Sequence, residues 1–309
     1  MNKRITLFYI FLMLQALSNK VLCEELLGIR MGAIVWNPNI QGRLQSEDIT
    51  SDSASISATR LSPFQLGITD QQQKSYFFEL HHNLPIIPRF IYTQANIETS
   101  AQSILGQDIN FVNTTLATGT SVNSVIDLSF QDYSFYYSLL NSWINLDIGL
   151  TQRNFDGQIS IVDQAANSTS GSTDGGTDGG TDGGDTGTGG DAGDGGATDG
   201  DGTTGENNTE ATSLPIATID ESPLMLFSQL QFQLLTTPLH AAFKSHYLNS
   251  GNDHFSDQEV KFSYYIDAGM LNYRIDLGYK KLKIMSSDLG GLESRLKIQG
   301  PFLGFAISF

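Results

Sequence analysis

The chain has 309 residues, 39% apolar and 16% charged, with 17 Lys+Arg against 33 Asp+Glu and a formal net charge of −16. That balance argues against a phosphate-binding surface for nucleic acid, and a single Cys excludes a disulfide framework or a Cys-rich zinc centre. No apolar run reaches the roughly eighteen residues that a membrane helix needs.

Met1 to Cys23 reads as a secretory signal, residues 1–23. Lys3 and Arg4 give a basic start, Ile5 to Leu17 an apolar core, and Val21 and Cys23 flank a cleavage point before Glu24. A lipid-modified Cys23 would want small residues before it, and Lys20-Val21-Leu22 lacks them. Residues 24–309 are then the exported chain.

Beyond the signal, apolar and polar residues alternate in ten segments: about 26–37, 74–83, 88–97, 124–140, 143–155, 224–235, 239–249, 258–267, 271–284 and 295–309. From Trp143 onward, Ile144, Leu146, Ile148 and Leu150 share one face and Asn145, Asp147, Gly149 and Thr151 the other. Leu271, Tyr273, Ile275, Leu277 and Tyr279 oppose Asn272, Arg274, Asp276, Gly278 and Lys280 in the same way. A soluble sandwich alternates too. The connections separate the two: tight turns such as Asn83-Leu-Pro-Ile, Asn141-Ser142, Thr236-Thr-Pro and Ala268-Gly-Met take turns with longer stretches. An even strand count with short turns at one end and long loops at the other is the pattern of an outer-membrane barrel whose termini are periplasmic. All Tyr beyond the signal fall inside these segments, so Trp36, Trp143, Tyr273 and Tyr279 are expected in interfacial aromatic girdles. The phase breaks between Phe130 and Tyr133, which predicts a bulge near Gln131-Asp132. Arg89 to Tyr92 fits either face.

One stretch, which includes the longest connection, carries most of the net negative charge. Asn154 to Phe243 contains 14 acidic residues and no Lys or Arg. Within it, Ser168–Gly205 (168–205) is nearly all Gly, Asp, Thr and Ser, too apolar-poor to offset chain entropy, and is expected to be a disordered external loop. Its four-residue Thr-Asp-Gly-Gly period lacks the apolar residue of calcium-binding repeats, and no EF-hand glutamate or flanking helix is visible. Only weak association of divalent cations is expected there.

These features predict an all-β fold: an antiparallel transmembrane β-barrel of about ten strands. Leu26-Leu-Gly-Ile-Arg-Met-Gly-Ala-Ile-Val-Trp36, the stretch from Trp143 to Gly157, and the ending Gly300-Pro-Phe-Leu-Gly-Phe-Ala-Ile-Ser-Phe309 resemble a family of small, uncharacterised outer-membrane β-barrels of Gram-negative bacteria. The resemblance spans the exported chain except 168–205. It implies the barrel fold, an outer-membrane location among outer-membrane lipid, and a terminal Phe309 read by the barrel-assembly machinery. It supplies no catalytic residues and implies no cofactor.

Charged residues opposing apolar neighbours would line the lumen: Arg30, Glu79, Asp147, Lys244, His246, Lys261, Arg274, Asp276 and Lys280. At ten strands such a lumen is narrow. It either plugs itself with ion pairs, as dehydrated charges require, or leaves a narrow solute or ion path. Two rival readings stay open. A surface hydrolase of the ten-stranded protease type would use Asp253-His254, although adjacent residues on an extended chain point opposite ways. An adhesive or cation-binding surface protein would act through the Asp/Gly loop. His81-His82 lacks further obvious metal ligands, so neither a metal nor a catalytic residue is assigned.

Overall fold

The computed structural model describes residues 27–51, 54–84, 86–164, 216–234, 237–269 and 271–309. The signal expected over 1–23 and the Asp/Gly loop 168–205 lie outside them. In chain order the first strands are β1 Leu27–Trp36, β2 Asn39–Ser46, β3 Ile49–Ser51, β4 Ala54–Ile56, β5 Gln73–His82, β6 Arg89–Asn96 and β7 Glu98–Ile104. Then come β8 Ile109–Phe111, β9 Thr114–Leu116, β10 Ser121–Asp127, β11 Phe130–Asn141, β12 Ile144–Phe155 and β13 Gly157–Asp163. The last are β14 Ile216–Ile219, β15 Leu224–Gln233, β16 Leu239–Ser250, β17 Asp253–Asp267, β18 Asn272–Ser286 and β19 Leu292–Ser308.

Ten of these close into one antiparallel barrel in the order β1, β5, β6, β11, β12, β15, β16, β17, β18, β19, with β19 returning to β1 through Met31↔Ile307 and Trp36↔Phe302. Closure leaves no ladder edge, the condition a sheet must meet to cross lipid. The ten strands match the ten alternating segments, except that the fourth segment divides at Leu128-Ser129 into β10 and β11. The first and last described residues lie at one rim, here the proximal end, where the backbone of Phe309 exchanges hydrogen bonds with that of Ile29 at 2.9 and 3.0 Å.

Polarity inverts along the longer strands, and the inversion locates the membrane. On β18, Ile275, Leu277 and Tyr279 face out and Arg274, Asp276 and Lys280 face in. Farther from the termini, Lys281 and Lys283 turn outward while Leu282 and Ile284 are buried. β19 repeats this in reverse chain sense: Leu303 and Phe305 are exposed apolar, whereas Arg295 is the exposed residue opposite buried Leu296 and Ile298. An apolar exterior with a polar lumen is the signature of a spanning barrel. The opposite arrangement belongs to water outside and a core inside.

That core builds a distal domain. β7, β10, β13 and β14 form a four-stranded sheet in the order β14-β13-β10-β7, each strand running on from a neighbouring barrel strand. It packs against the distal reaches of β17, β18, β19 and β2. Val122, Ile126, Ile159, Ile161 and Ile219 from the sheet share one buried cluster with Leu44, Leu282, Ile284, Leu296 and Ile298. Gly290 in the β18–β19 turn, at φ +63°, approaches the sheet so closely that a Cβ would sit 2.1 Å from the Thr218 carbonyl oxygen. Only glycine tolerates both the space and the angle. β2 continues the register of β1 along β19 after Asn37-Pro38, where proline cannot supply a ladder N–H. In the β7–β10 connection, Asp108 accepts from Thr118 Oγ1 and from its backbone N–H, both at 2.7 Å, and these bonds hold its carboxyl below the usual range.

Three corrections to the sequence reading follow. No bulge occurs at Gln131-Asp132: β11 pairs continuously there, and its register shift lies between Ser138 and Leu140. Phe130, Asp132, Ser134 and Tyr136 all face inward; the phase looked broken because the lumen turns apolar at its distal end. Trp36 is not interfacial. It is 1% exposed and donates its indole N–H to the Gly300 carbonyl at 3.1 Å. The third correction concerns two distal connections, β16–β17 and β18–β19, whose added length is ladder and not loop, with tight turns at Gly251-Asn252 and Ser287–Gly291. Trp143 is exposed near the proximal rim, while Tyr273 and Tyr279 sit on the outer face toward the two edges of the apolar belt.

Candidate functional site: the charged lumen

Each lumen charge projects inward because it occupies the phase opposite the lipid-facing apolar residues on its strand. Near the proximal end, Arg30 on β1 lies directly across the ladder from Glu79 on β5. Arg30 Nη1 donates to Glu79 Oε2 at 2.8 Å, and the Tyr136 hydroxyl donates to Oε1 at 2.8 Å. Asp147 accepts from Ser138 Oγ and from Gln229 Nε2, the latter at 3.3 Å. Arg89, whose face the sequence left open, points inward and donates to Ser138 Oγ at 2.6 Å.

Across the barrel the ions form a chain. Lys244 and Lys261 share Glu259 at 3.5 and 3.0 Å. Lys261 also reaches Asp276 at 3.6 Å, and Arg274 Nε lies 3.0 Å from the same carboxylate. Higher up, Lys280 sits 3.3 Å from Asp257. Arg153 grips Asp132 with two parallel bonds of 2.8 Å and reaches Asp257 at 2.7 Å, its guanidinium stacked 3.6 Å over the Phe130 ring. A planar, always-charged fork suits this bidentate, desolvated position better than an ammonium would.

Asp132, His246 and Asp257 place one donor atom each within 4.8 Å of one another. By identity the set could hold a metal ion, but Arg153 and Lys280 already occupy its carboxylates. The local charge is balanced by those two cations, so the donors fit an ion-pair network and not a metal centre. His246 packs instead against Phe227, ring centres 5.3 Å apart.

The structure thus gathers all nine sequence-predicted lumen residues inside the barrel. Alternation missed Asp132, Arg153, Asp257 and Glu259. Arg153 and Glu259 are in phase with neighbours that were assigned, so extending the phase by one or two pairs finds them. Asp132 was hidden by the supposed bulge, and Asp257 by a strand start set too late. Asp253 and His254 open β17 and part company: Ser286 Oγ donates to Asp253 at 2.7 Å, while His254 meets Tyr247 edge-on. Asp253 therefore does not orient His254 as a catalytic base. His81 lines the proximal lumen, whereas His82 is held by the following turn through Pro88 O and Leu84 N.

The free space is small and stepped. A hollow of about 50 Å³ lies among Arg30, Trp36, Glu79, Lys244, Glu259 and Lys261. Hollows of about 100 and 300 Å³, which share Arg30 with it, lie toward the proximal rim. At the other end the lumen runs into apolar side chains: Phe130, Phe155, Met225, Phe255 and Phe302 belong to the same buried cluster as the distal domain. Among the described residues, the lumen is polar toward the proximal rim and apolar toward the distal domain.

No family model matches the chain, and no curated protein matches it. Among solved structures it is similar to a FadL homologue of Pseudomonas aeruginosa, at 8% identity and TM-score 0.32, covering 92% of this chain and 90% of that one. It is also similar to OprG of Pseudomonas aeruginosa, at 12% identity and TM-score 0.24, covering 92% and 95%. Ail of Yersinia pestis, solved with the heparin analogue sucrose octasulfate, matches at 10% identity and TM-score 0.25, covering 91% and 99%.

Proposed function

We propose that the protein is a non-conducting barrel of the bacterial outer membrane that anchors a rigid β-domain at the cell surface. The observation that carries this reading is the continuity of the distal core with the lumen mouth, where Phe130, Phe155 and Phe255 pack in succession, edge-on and then tilted, ring centres 5.7 and 5.9 Å apart. A solute path would need a hydrated channel there, and an apolar plug offers none. The interlocked ions below it support the same role, since paired charges fill a lumen that a transporter would keep open. Phe309, at the proximal rim with alternating apolar residues before it, suits recognition by the assembly machinery from the periplasm. The acidic segment joins β13 to β14 of the distal sheet, so it would be displayed at the surface, where cations gather weakly around it.

Orientation is the testable part. Cys23 is the one Cys of the sequence and would leave with the expected signal, so an introduced Cys would report alone. Thr118→Cys in the distal domain should react with a membrane-impermeant maleimide in intact cells. Ala268→Cys in a proximal turn should react only after lysis. The reverse pattern refutes the surface reading.

A further inference from the structure

Beyond residue 26 the chain has fourteen Lys and Arg. Seven point into the lumen: Arg30, Arg89, Arg153, Lys244, Lys261, Arg274 and Lys280. Of the seven left, five crowd onto one outer face: Lys281 and Lys283 on β18, Arg295 and Lys297 on β19, and Arg43 on β2. The ladder sets like charges directly opposite one another, Lys283↔Lys297 and Arg43↔Arg295. Such pairs are destabilising in themselves. Among the ion pairs of the described residues, Glu293, 3.2 Å from Arg295, is the acid paired with them. In a chain of net charge −16, this concentration of outward cations calls for an external anion.

The height of the patch identifies the anion. Tyr279 and Pro301, opposite each other, mark the distal edge of the apolar belt. Lys281 is two residues beyond Tyr279, about 7 Å along a strand and less in height once the strand tilts. Lys283 is about 13 Å along it, and its flexible stem can reach back toward the lipid. The headgroup layer is roughly 5–7 Å deep on each side of the hydrocarbon. Lys281, Lys283 and Lys297 therefore stand at the level of lipid phosphates, with Arg295 and Arg43 just above.

We infer that this face is a binding site for phosphate-bearing lipid headgroups of the distal leaflet, formed by Lys281, Lys283, Arg295, Lys297 and Arg43. The site rests on the barrel lying in a membrane with its apolar belt at the hydrocarbon, and it goes beyond that reading by naming the lipid and the residues.

The test uses full-length protein refolded into nanodiscs of phosphatidylcholine mixed with phosphatidylglycerol, then extracted into mild detergent, with retained lipid counted by native mass spectrometry. The wild type should retain phosphatidylglycerol over phosphatidylcholine by about tenfold, since each nearby basic residue favours an anionic surface. Added salt should erase the preference, and so should the variant K281Q/K283Q/R295Q/K297Q. The single variant K283Q should lower it in part, which keeps the test valid if the quadruple variant does not fold. Inorganic phosphate should not compete; full competition would mean that free phosphate is the ligand and would overturn the lipid assignment. Equal retention of both lipids by the wild type, or an unchanged preference in folded variants, also overturns it. Failure of the wild type to enter nanodiscs at all overturns the barrel reading together with the site, a distinguishable result.

Discussion

Arg153→Ala should lower the stability of the folded barrel by about 3–5 kcal/mol, the range for breaking a buried ion pair from one side. Arg153 is fully buried, and its loss strands Asp132 and takes from Asp257 one of its two cations, in the same dehydrated layer. Lys280 stays within 3.3 Å of Asp257 but does not ion-pair with Asp132. Arg153→Lys should recover only part of the loss, because an ammonium cannot reproduce the two parallel bonds to Asp132. Arg43→Ala, at an exposed strand position, should shift the unfolding midpoint little. Denaturant titration of the refolded protein, with the three variants side by side, separates the effects. Equal midpoints for Arg153→Ala and Arg43→Ala would refute a packed, charged interior.

Phe155→Ala should cost a similar amount, about 3–5 kcal/mol for a buried aromatic truncated to alanine. The damage should be confined differently. Phe155 lies where the lumen meets the distal core, in contact with Phe130 and Phe255. Its removal loosens the distal domain before the membrane ladder gives way. Trp36 is buried in the same cluster, and Trp143→Phe leaves it as the one tryptophan of the sequence. In that background Phe155→Ala should let Trp36 fluorescence shift to the red at lower denaturant, while boiled and unboiled samples still differ in gel mobility. Simultaneous loss of both signals would mean that the core and the barrel unfold as one unit.

Much of the membrane part was legible in the sequence because a spanning strand obeys one rule along its length. Leu271 to Lys280 alternates apolar with polar or glycine, which puts Arg274, Asp276 and Lys280 on one face, and the structure has all three buried. The distal part obeys the opposite rule, and the two meet inside single strands. At Phe130 an inward aromatic looked like a slipped phase, and at Trp36 an inward indole looked like an interfacial anchor. Both are core residues of the distal domain, whose inward side chains are apolar. β7 and β13 have seven residues each, β14 only four, and β2 reads Asn-Ile-Gln-Gly-Arg-Leu-Gln-Ser, so their own periodicity is weak. They hold because the barrel strands they continue have already fixed their direction and register. Arg153 and Glu259 show a different limit. Their phase was available, but nothing local in the sequence indicates that Arg153 meets Asp257, 104 positions away.

The central claim is that the lumen is a blind pit closed by ion pairs and an apolar plug. Single-channel recording of the refolded protein in a planar bilayer tests it most directly. Insertion is scored by a label on Thr118→Cys, so that silence cannot be mistaken for absence. The wild type should insert without conductance steps, and Phe130→Ala/Phe155→Ala should admit small ions if the barrel still assembles. Steady, ion-selective steps from the inserted wild type would contradict the account.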